Sequence, residues 1–355
     1  MLPIPRLAGD VTPAWLNEVL RERHPDAVVT DVEVIERHEL TNAHARIRLT
    51  YEAPCSAPQT MFAKLPPTES VRRDTIIATG MGHREVLFYA HLAPQLSLRV
   101  PVTHAAVTTD DGDFALLLED LSVGQYEVSD GTWGITADAA ADAFEALAEM
   151  HVRFEDPARR AAEAPWVKVS TPTNTYGAPM LRYGIEHHRD RLTDAFVEVS
   201  EIYIAKHEQL QALWHAGRHT LIHGDTHIGN LFMDGPTVGF LDWGIINVNT
   251  PMREISYFLT MAMNPDERRA SERDLLRHYL DVRRALGGTA IGWDDAWLAH
   301  RVHAAYTVPA SCQVVTFPEN ASPQRQVFAD AFLERCLAAL DDLEARAALR
   351  EAADL

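Results

Sequence analysis

The spacing of apolar positions changes period several times along the sequence. Between Val11 and Arg23, Trp15, Leu16, Val19 and Leu20 form one stripe behind the start signals Thr12 and Pro13, which predicts a short amphipathic helix. Three short runs rich in β-branched and aromatic residues follow, Val32 to Ile35, Ala45 to Tyr51 and Gln59 to Leu65, and read as antiparallel strands. Glu69 to Leu92 is predicted as one helix with Val86, Leu87 and Tyr89 on its apolar side and Pro94 closing it. A strand pair, Val100 to Thr108 and Phe114 to Glu119, is expected to turn at Asp110-Asp111-Gly112. The sum is a five-stranded antiparallel sheet with one inserted helix.

After Leu121 the pattern shifts to long helical segments, first Ala137 to Phe154 and then Met180 to Trp214. Within this half only Asn230 to Met233 and Val238 to Leu241 read as strands, joined by Asp234-Gly235-Pro236. From Pro251 onward the sequence reads as helices separated by Gly287-Gly288 and by the Pro318 to Pro323 loop. The fold class is therefore α+β, divided into residues 1–120 and 121–355. No internal repeat or low-complexity tract points to a solenoid.

Composition narrows the choice of partners. The 355 residues carry 32 Lys plus Arg against 51 Asp plus Glu, a formal net charge of -19, which opposes nucleic-acid backbone binding. Cys55, Cys312 and Cys336 are odd in number and form no CxxC pair, so neither a disulfide framework nor a structural zinc site is expected, and a reducing cytoplasm fits. No apolar run approaches a membrane span, and Met1 to Asp10 has no signal-like apolar stretch.

The strongest chemical signal is His223-Gly224-Asp225-Thr226-His227-Ile228-Gly229-Asn230, followed across the predicted hairpin by Leu241-Asp242-Trp243-Gly244. Phosphoryl transfer needs a carboxylate to orient the attacking hydroxyl and take its proton, and hard oxygen ligands to hold Mg2+ against the phosphates. Asp225 supplies the first, and Asn230 with Asp242 the second. The loop sets Asp225 and Asn230 five residues apart at one mouth, and the hairpin returns Asp242 to it. The HGD tripeptide alone is a weak signal. The Asp-x4-Asn spacing, a hairpin and then Asp-Trp-Gly together are specific.

These motifs resemble the aminoglycoside phosphotransferase and choline-kinase-like group of small-molecule kinases, with its ecdysteroid-kinase-like relatives. The resemblance covers roughly Val32 to Leu259 and implies a bilobal protein-kinase-like fold, with a nucleotide-binding lobe of residues 1–120 and a catalytic and substrate-binding lobe of residues 121–355. It implies Asp225 as the catalytic base, Asn230 and Asp242 as Mg2+ ligands, and His223 as a structural residue of the loop. It further implies that Lys64, ending the third strand, contacts the α/β-phosphates of ATP or GTP while Glu85 holds it extended, with Glu69 as the weaker alternative partner. Glu119 and Leu121 then read the purine edge through their backbone carbonyl and amide groups, with Phe62, Leu118 and Ile245 lining an apolar slot. His151, in Leu147-Ala148-Glu149-Met150-His151, resembles a histidine that supports the catalytic loop.

Two departures stand beside the resemblance. The turn Arg37-His38-Glu39-Leu40-Thr41-Asn42-Ala43 has no glycine, which leaves Thr41 and Asn42 as the candidate phosphate contacts. Glu254 occupies a position where the group has Asp, so the loop is supported only if the longer side chain still reaches it. Both departures keep open a nucleotide-binding pseudokinase or regulatory module. A third reading takes His223-x-Asp225 as the start of a non-haem iron oxygenase site, which needs a distant third ligand and a mostly β barrel around it. The acceptor hydroxyl compound, the choice of ATP or GTP and the oligomeric state are not written in these motifs.

Overall fold

The computed structural model describes residues 3–39, 41–169, 176–316, 321–353 and 355. Leu40 of the expected phosphate turn and residues 318–320 of the expected loop lie outside this set. The protein divides into two compact units, Met1–Tyr126 with Gly239–Ile245, and Glu127–Val238 with Ile246–Leu355.

In the first unit, strands β1 (Val29–Glu39), β2 (Ala43–Tyr51), β3 (Thr60–Leu65), β4 (Thr103–Thr108) and β5 (Phe114–Glu119) form an antiparallel sheet in the order β1-β2-β3-β5-β4. Alternation along β2 decides its faces. Ala43, Ala45, Ile47 and Leu49 are buried, and with Met61, Ala63 and Leu65 of β3 they meet Trp15 and Leu16 of helix α1 (Pro13–Val19) in one core. Each fully buried large side chain there contributes about 1.5–3 kcal/mol. The other face carries His44 and Arg46, whose ladder partners on β3 are Lys64 and Phe62. At the sheet edge, β1 is mostly exposed and bears Asp31, Glu33 and Glu36, charges that discourage pairing with another strand.

Three expectations for this unit need correction. The first helix is shorter than Val11 to Arg23, because the backbone leaves α1 after Val19 and turns before Pro25. Strand β4 begins at Thr103, past Pro101, which has no amide hydrogen for the ladder. The single helix expected over Glu69 to Leu92 is broken into α2 (Ser70–Thr79), α3 (Met81–Leu87) and a π turn, Phe88–Leu92. Gly80 makes the break by adopting a left-handed φ of 68°. Gly82 then lets α3 press on β5, since any Cβ at that position would overlap the Phe114 ring.

The second unit is mainly helical: Ala137–Arg153 (α4), Pro157–Glu163 (α5), Ala178–His187 (α6), Asp194–Ala205 (α7), His207–Trp214 (α8), Pro251–Ala262 (α9), Pro265–Ala285 (α10), Trp293–Ala304 (α11), Thr307–Ala310 (α12), Cys312–Val315 (α13), Pro323–Asp342 (α14) and Ala345–Ala353 (α15). The expected helical stretch from Met180 to Trp214 is three helices, and Thr193 caps the middle one by accepting from the Phe196 amide at 3.3 Å. Helix α9 is buried along its whole length. Short strands β6 (Tyr126–Val128), β7 (Thr220–Ile222) and β10 (Asn247–Asn249) were not expected, whereas the hairpin of β8 (Leu231–Asp234) and β9 (Thr237–Phe240) was, with Gly235 at φ 60° in its turn. β7 pairs antiparallel with β10 and leads directly into His223.

Candidate active site

In the first unit, Lys64 meets Glu85, the pairing that the resemblance implies, and also Asp242, a contact that was not expected. The Lys64 ammonium lies 2.7 Å from Glu85 Oε2 and 3.1 Å from Asp242 Oδ1. Lys64 and Glu85 are buried, while the Asp242 side chain is 44% exposed. Burial pulls the lysine down, but the Asp242 and Glu85 carboxylates outweigh it and hold the ammonium above its ordinary value. Burial pushes the Glu85 carboxyl up to about 7 against the pull of Lys64. Asp242 has a left-handed φ of 56°, a conformation that non-glycine residues adopt only at a cost of about 1–3 kcal/mol and that clusters at functional positions.

Helix α3 and the π turn that follows it brace the Asp-Trp-Gly segment by two contacts that the sequence did not reveal. Arg84 Nε donates to the Gly244 carbonyl at 3.0 Å, and Trp243 stacks on Phe88 with ring centroids 3.7 Å apart. The helix that carries Glu85 thus also holds the residues around Asp242. Arginines and aromatics flanking a motif carry no spacing signature, so nothing in the sequence marked them.

At the end of β5 the Glu119 amide donates to Val102 O at 2.8 Å, and its carboxylate pairs with Arg99 at 3.0 Å and accepts from the Tyr126 hydroxyl. Leu121 follows in a turn, and beside it Asp120 pairs with Arg46 at 3.2 Å. Thr41 is exposed just before β2. Asn42 is only 3% exposed, and its Oδ1 has no hydrogen-bond partner among the described residues.

In the second unit, Asp225 and Asn230 meet. The Asn230 amide nitrogen donates to the Asp225 backbone carbonyl at 2.9 Å and to its Oδ2 at 3.0 Å. With the nitrogen so committed, the amide oxygen of Asn230 is directed away from Asp225, and its chemistry suits a hard cation. The Tyr257 hydroxyl donates to Asp225 Oδ1 at 3.3 Å, and His227 Nε2 lies 3.6 Å from Oδ2. Burial raises the Asp225 carboxyl, yet His227, His223 and the Tyr257 hydroxyl outweigh it, so the group sits below the usual carboxylate range. An ionised base results, with its side chain 34% exposed.

The backbone of the loop is held by Glu254, which answers the question its length raised. Its Oε2 accepts from the His223 amide at 3.0 Å and its Oε1 from the Gly224 amide at 2.9 Å. Oε2 also lies 3.1 Å from His151 Nε2, and His151 Nδ1 is 2.7 Å from the Tyr279 hydroxyl. Burial raises Glu254, but His151, His223 and the Gly224 amide more than compensate and hold it down. His223 Nδ1 accepts from the Asp225 amide at 3.2 Å, so this ring nitrogen shapes the loop. Tyr257 was missed in the sequence, although its place three residues after Glu254 puts it on the same side of α9. The signal for His227 was its place two residues after Asp225.

A family described as the phosphotransferase enzyme family matches residues 56–290, about two thirds of the sequence. No curated protein matches the sequence. Among solved structures, choline kinase from Cryptosporidium parvum Iowa II is 9% identical, covering 90% of this protein and 91% of its own length, with a TM-score of 0.52. The GDP complex of wild-type aminoglycoside 2′-phosphotransferase-IIIa is 12% identical, covering 94% of this protein and 99% of its own length, with a TM-score of 0.50. Those likenesses establish a protein-kinase-like fold. The protein belongs to the phosphotransferase enzyme family and is a phosphotransferase. The iron-oxygenase reading of His223 and Asp225 falls with that membership, and its barrel is not found among the described residues: the loop joins the short strands β7 and β8 within a mainly helical unit.

Proposed function

We propose that this phosphotransferase moves the γ-phosphoryl group of ATP or GTP to the hydroxyl of a small organic molecule, with Mg2+. The observation that carries the reading is the commitment of Asn230: its amide nitrogen fixes Asp225, and its oxygen is left to ligate. Lys64, held by Glu85, binds the α/β-phosphates as a charge with few rotamers open to it. Asn230 and Asp242 are the hard oxygen ligands that would hold Mg2+, whose positive charge would offset that of the phosphates. Asp225 receives the hydrogen bond of the acceptor hydroxyl and takes its proton as the oxygen bonds to the γ-phosphorus, while the bond from that phosphorus to the β–γ bridging oxygen breaks and the nucleoside diphosphate leaves with the electron pair. Glu119 and Leu121 take the purine edge through their backbone groups, and Thr41 and Asn42 approach the phosphates.

A base held ionised, together with a complete set of binding residues, favours turnover over the pseudokinase reading. Glu254, one of the two departures behind that reading, makes both loop hydrogen bonds. The net charge of -19 speaks against nucleic acid as a partner, and three cysteines without a CxxC pair fit a kinase that acts in a reducing cytoplasm. Among the described residues no helix is long and apolar enough to cross a membrane. The test is phosphate transfer from ATP and GTP to a panel of amino alcohols, sugars, nucleosides, aminoglycosides, macrolides and steroid alcohols. The expected outcome is turnover with one class, abolished in Asp225→Ala while nucleotide affinity is kept. Near-normal transfer by Asp225→Ala would remove Asp225 from the role of base.

A further inference from the structure

Strand β2 presents a ring whose chemistry the catalytic account leaves unused. His44 is the ladder partner of Lys64 on β3 and of His38 on β1, so these three side chains share one face of the sheet. Phe62 continues that face, its ring centroid 5.3 Å from that of His44. The opposite face of β2 packs the core, so no demand of that core explains a histidine at position 44.

Two polar atoms on this stretch, His44 Nδ1 and Asn42 Oδ1, are buried and have no hydrogen-bond partner among the described residues. Buried polar atoms almost always have one. Two such atoms within three residues, beside a lysine aimed at phosphates, mark a place where the partner comes from outside the protein.

The charge state narrows that partner. Burial, reinforced by Lys64 and His38, holds His44 down to about 3 against the opposing pull of Asp242. At neutral pH the imidazole is uncharged and carries one N–H, which adds a donor next to the Lys64 ammonium without burying a second cation. Opposed residues in an antiparallel ladder have Cβ atoms about 5 Å apart, so a polyphosphate at Lys64 brings further oxygens to the neighbouring strand. Anionic oxygen suits this N–H, and the turn preceding it has no glycine to bring backbone amides close.

We propose that His44 is a nucleotide-binding residue that donates its ring N–H to a phosphate oxygen of the nucleoside triphosphate alongside Lys64. It does with a side chain what a glycine-rich turn does with backbone amides. This rests on the nucleotide reading above and adds to it a residue that neither the motif nor the turn assigned.

The test is calorimetry with the better of ATP and GTP, its diphosphate and its nucleoside, on wild type, His44→Phe and His44→Gln. Phe keeps a ring against Phe62 and loses the nitrogens, and Gln restores an N–H. Thermal unfolding without ligand checks that both variants fold. His44→Phe is expected to weaken triphosphate and diphosphate binding about tenfold, in line with loss of one hydrogen bond to a charged group, and to leave the nucleoside unchanged. His44→Gln is expected to recover most of the loss. Undiminished triphosphate binding by His44→Phe, or an equal loss for the nucleoside, would overturn the phosphate contact while sparing the nucleotide site. Failure of the wild type to bind either nucleotide would overturn the nucleotide reading and this inference with it.

Discussion

At the scale of the residue, two carboxylates are held by different means and respond differently to substitution. Glu254 is buried and accepts two backbone amides and a histidine, so Glu254→Ala leaves buried donors unpaired. It is expected to lose about 3 kcal/mol or more of stability, read as a shift in urea midpoint. Glu254→Asp supplies the residue that the resemblance implies at this position but shortens the reach by one methylene, and should lower turnover about tenfold through misplacement of the loop. Lys64 behaves otherwise: Lys64→Met strands the buried Glu85 carboxyl and should cost about 3–5 kcal/mol. The double variant Lys64→Met with Glu85→Leu should recover much of that stability and still fail to bind nucleotide. If the double variant is no more stable than the single one, the two residues are not coupled as the geometry shows.

At the scale of the element, strands were easier to read than helix breaks. The alternation of β2 and the apolar run of β5 gave their positions within a few residues, because burial on one or both faces writes directly into the pattern. β7 and β10 were invisible, since three residues have no period. The division of the expected helix at Gly80 was missed for a different reason: an apolar stripe continues across it, and only the left-handed glycine records the turn. That break matters because α3 carries Glu85 and packs on β5 through Gly82. Gly82→Ala is expected to cost about 1–3 kcal/mol and to weaken nucleotide binding, whereas Gly235→Ala, in the open hairpin turn, should cost about 1 kcal/mol. Equal and small effects at both sites would contradict the close packing of α3.

At the scale of the whole molecule, buried neutral histidines set the response to acid. Burial holds His104 and His303 down to about 4 and lowers His151 and His300 as well. A depressed histidine binds its proton in the unfolded state first, so its contribution to stability is complete above about pH 6.5 and is lost as pH falls toward 4. Glu85, raised to about 7, works the other way and is a single group against several. The urea midpoint is therefore expected to fall steadily from pH 7 to pH 5, and a midpoint constant over that range would contradict the account.

The molecule also shows where the sequence was explicit. Asp225, Asn230 and Asp242 were legible from the spacing of one motif, and Lys64 and Glu85 from the family resemblance; the structure brings Asp225 to Asn230 and Lys64 to both Glu85 and Asp242. Tyr257, Arg84 and His44 act through neighbours in space, on helix faces and strand ladders whose register has to be seen first.

The central claim is a metal-dependent nucleotide site with Asp242 as a ligand, and the most direct measurement is calorimetry of ATP and GTP with and without Mg2+ on wild type and Asp242→Ala. The wild type is expected to bind one nucleotide more tightly with Mg2+, and the variant to lose that gain. Affinity independent of Mg2+ in the wild type, or a gain preserved in Asp242→Ala, would contradict it.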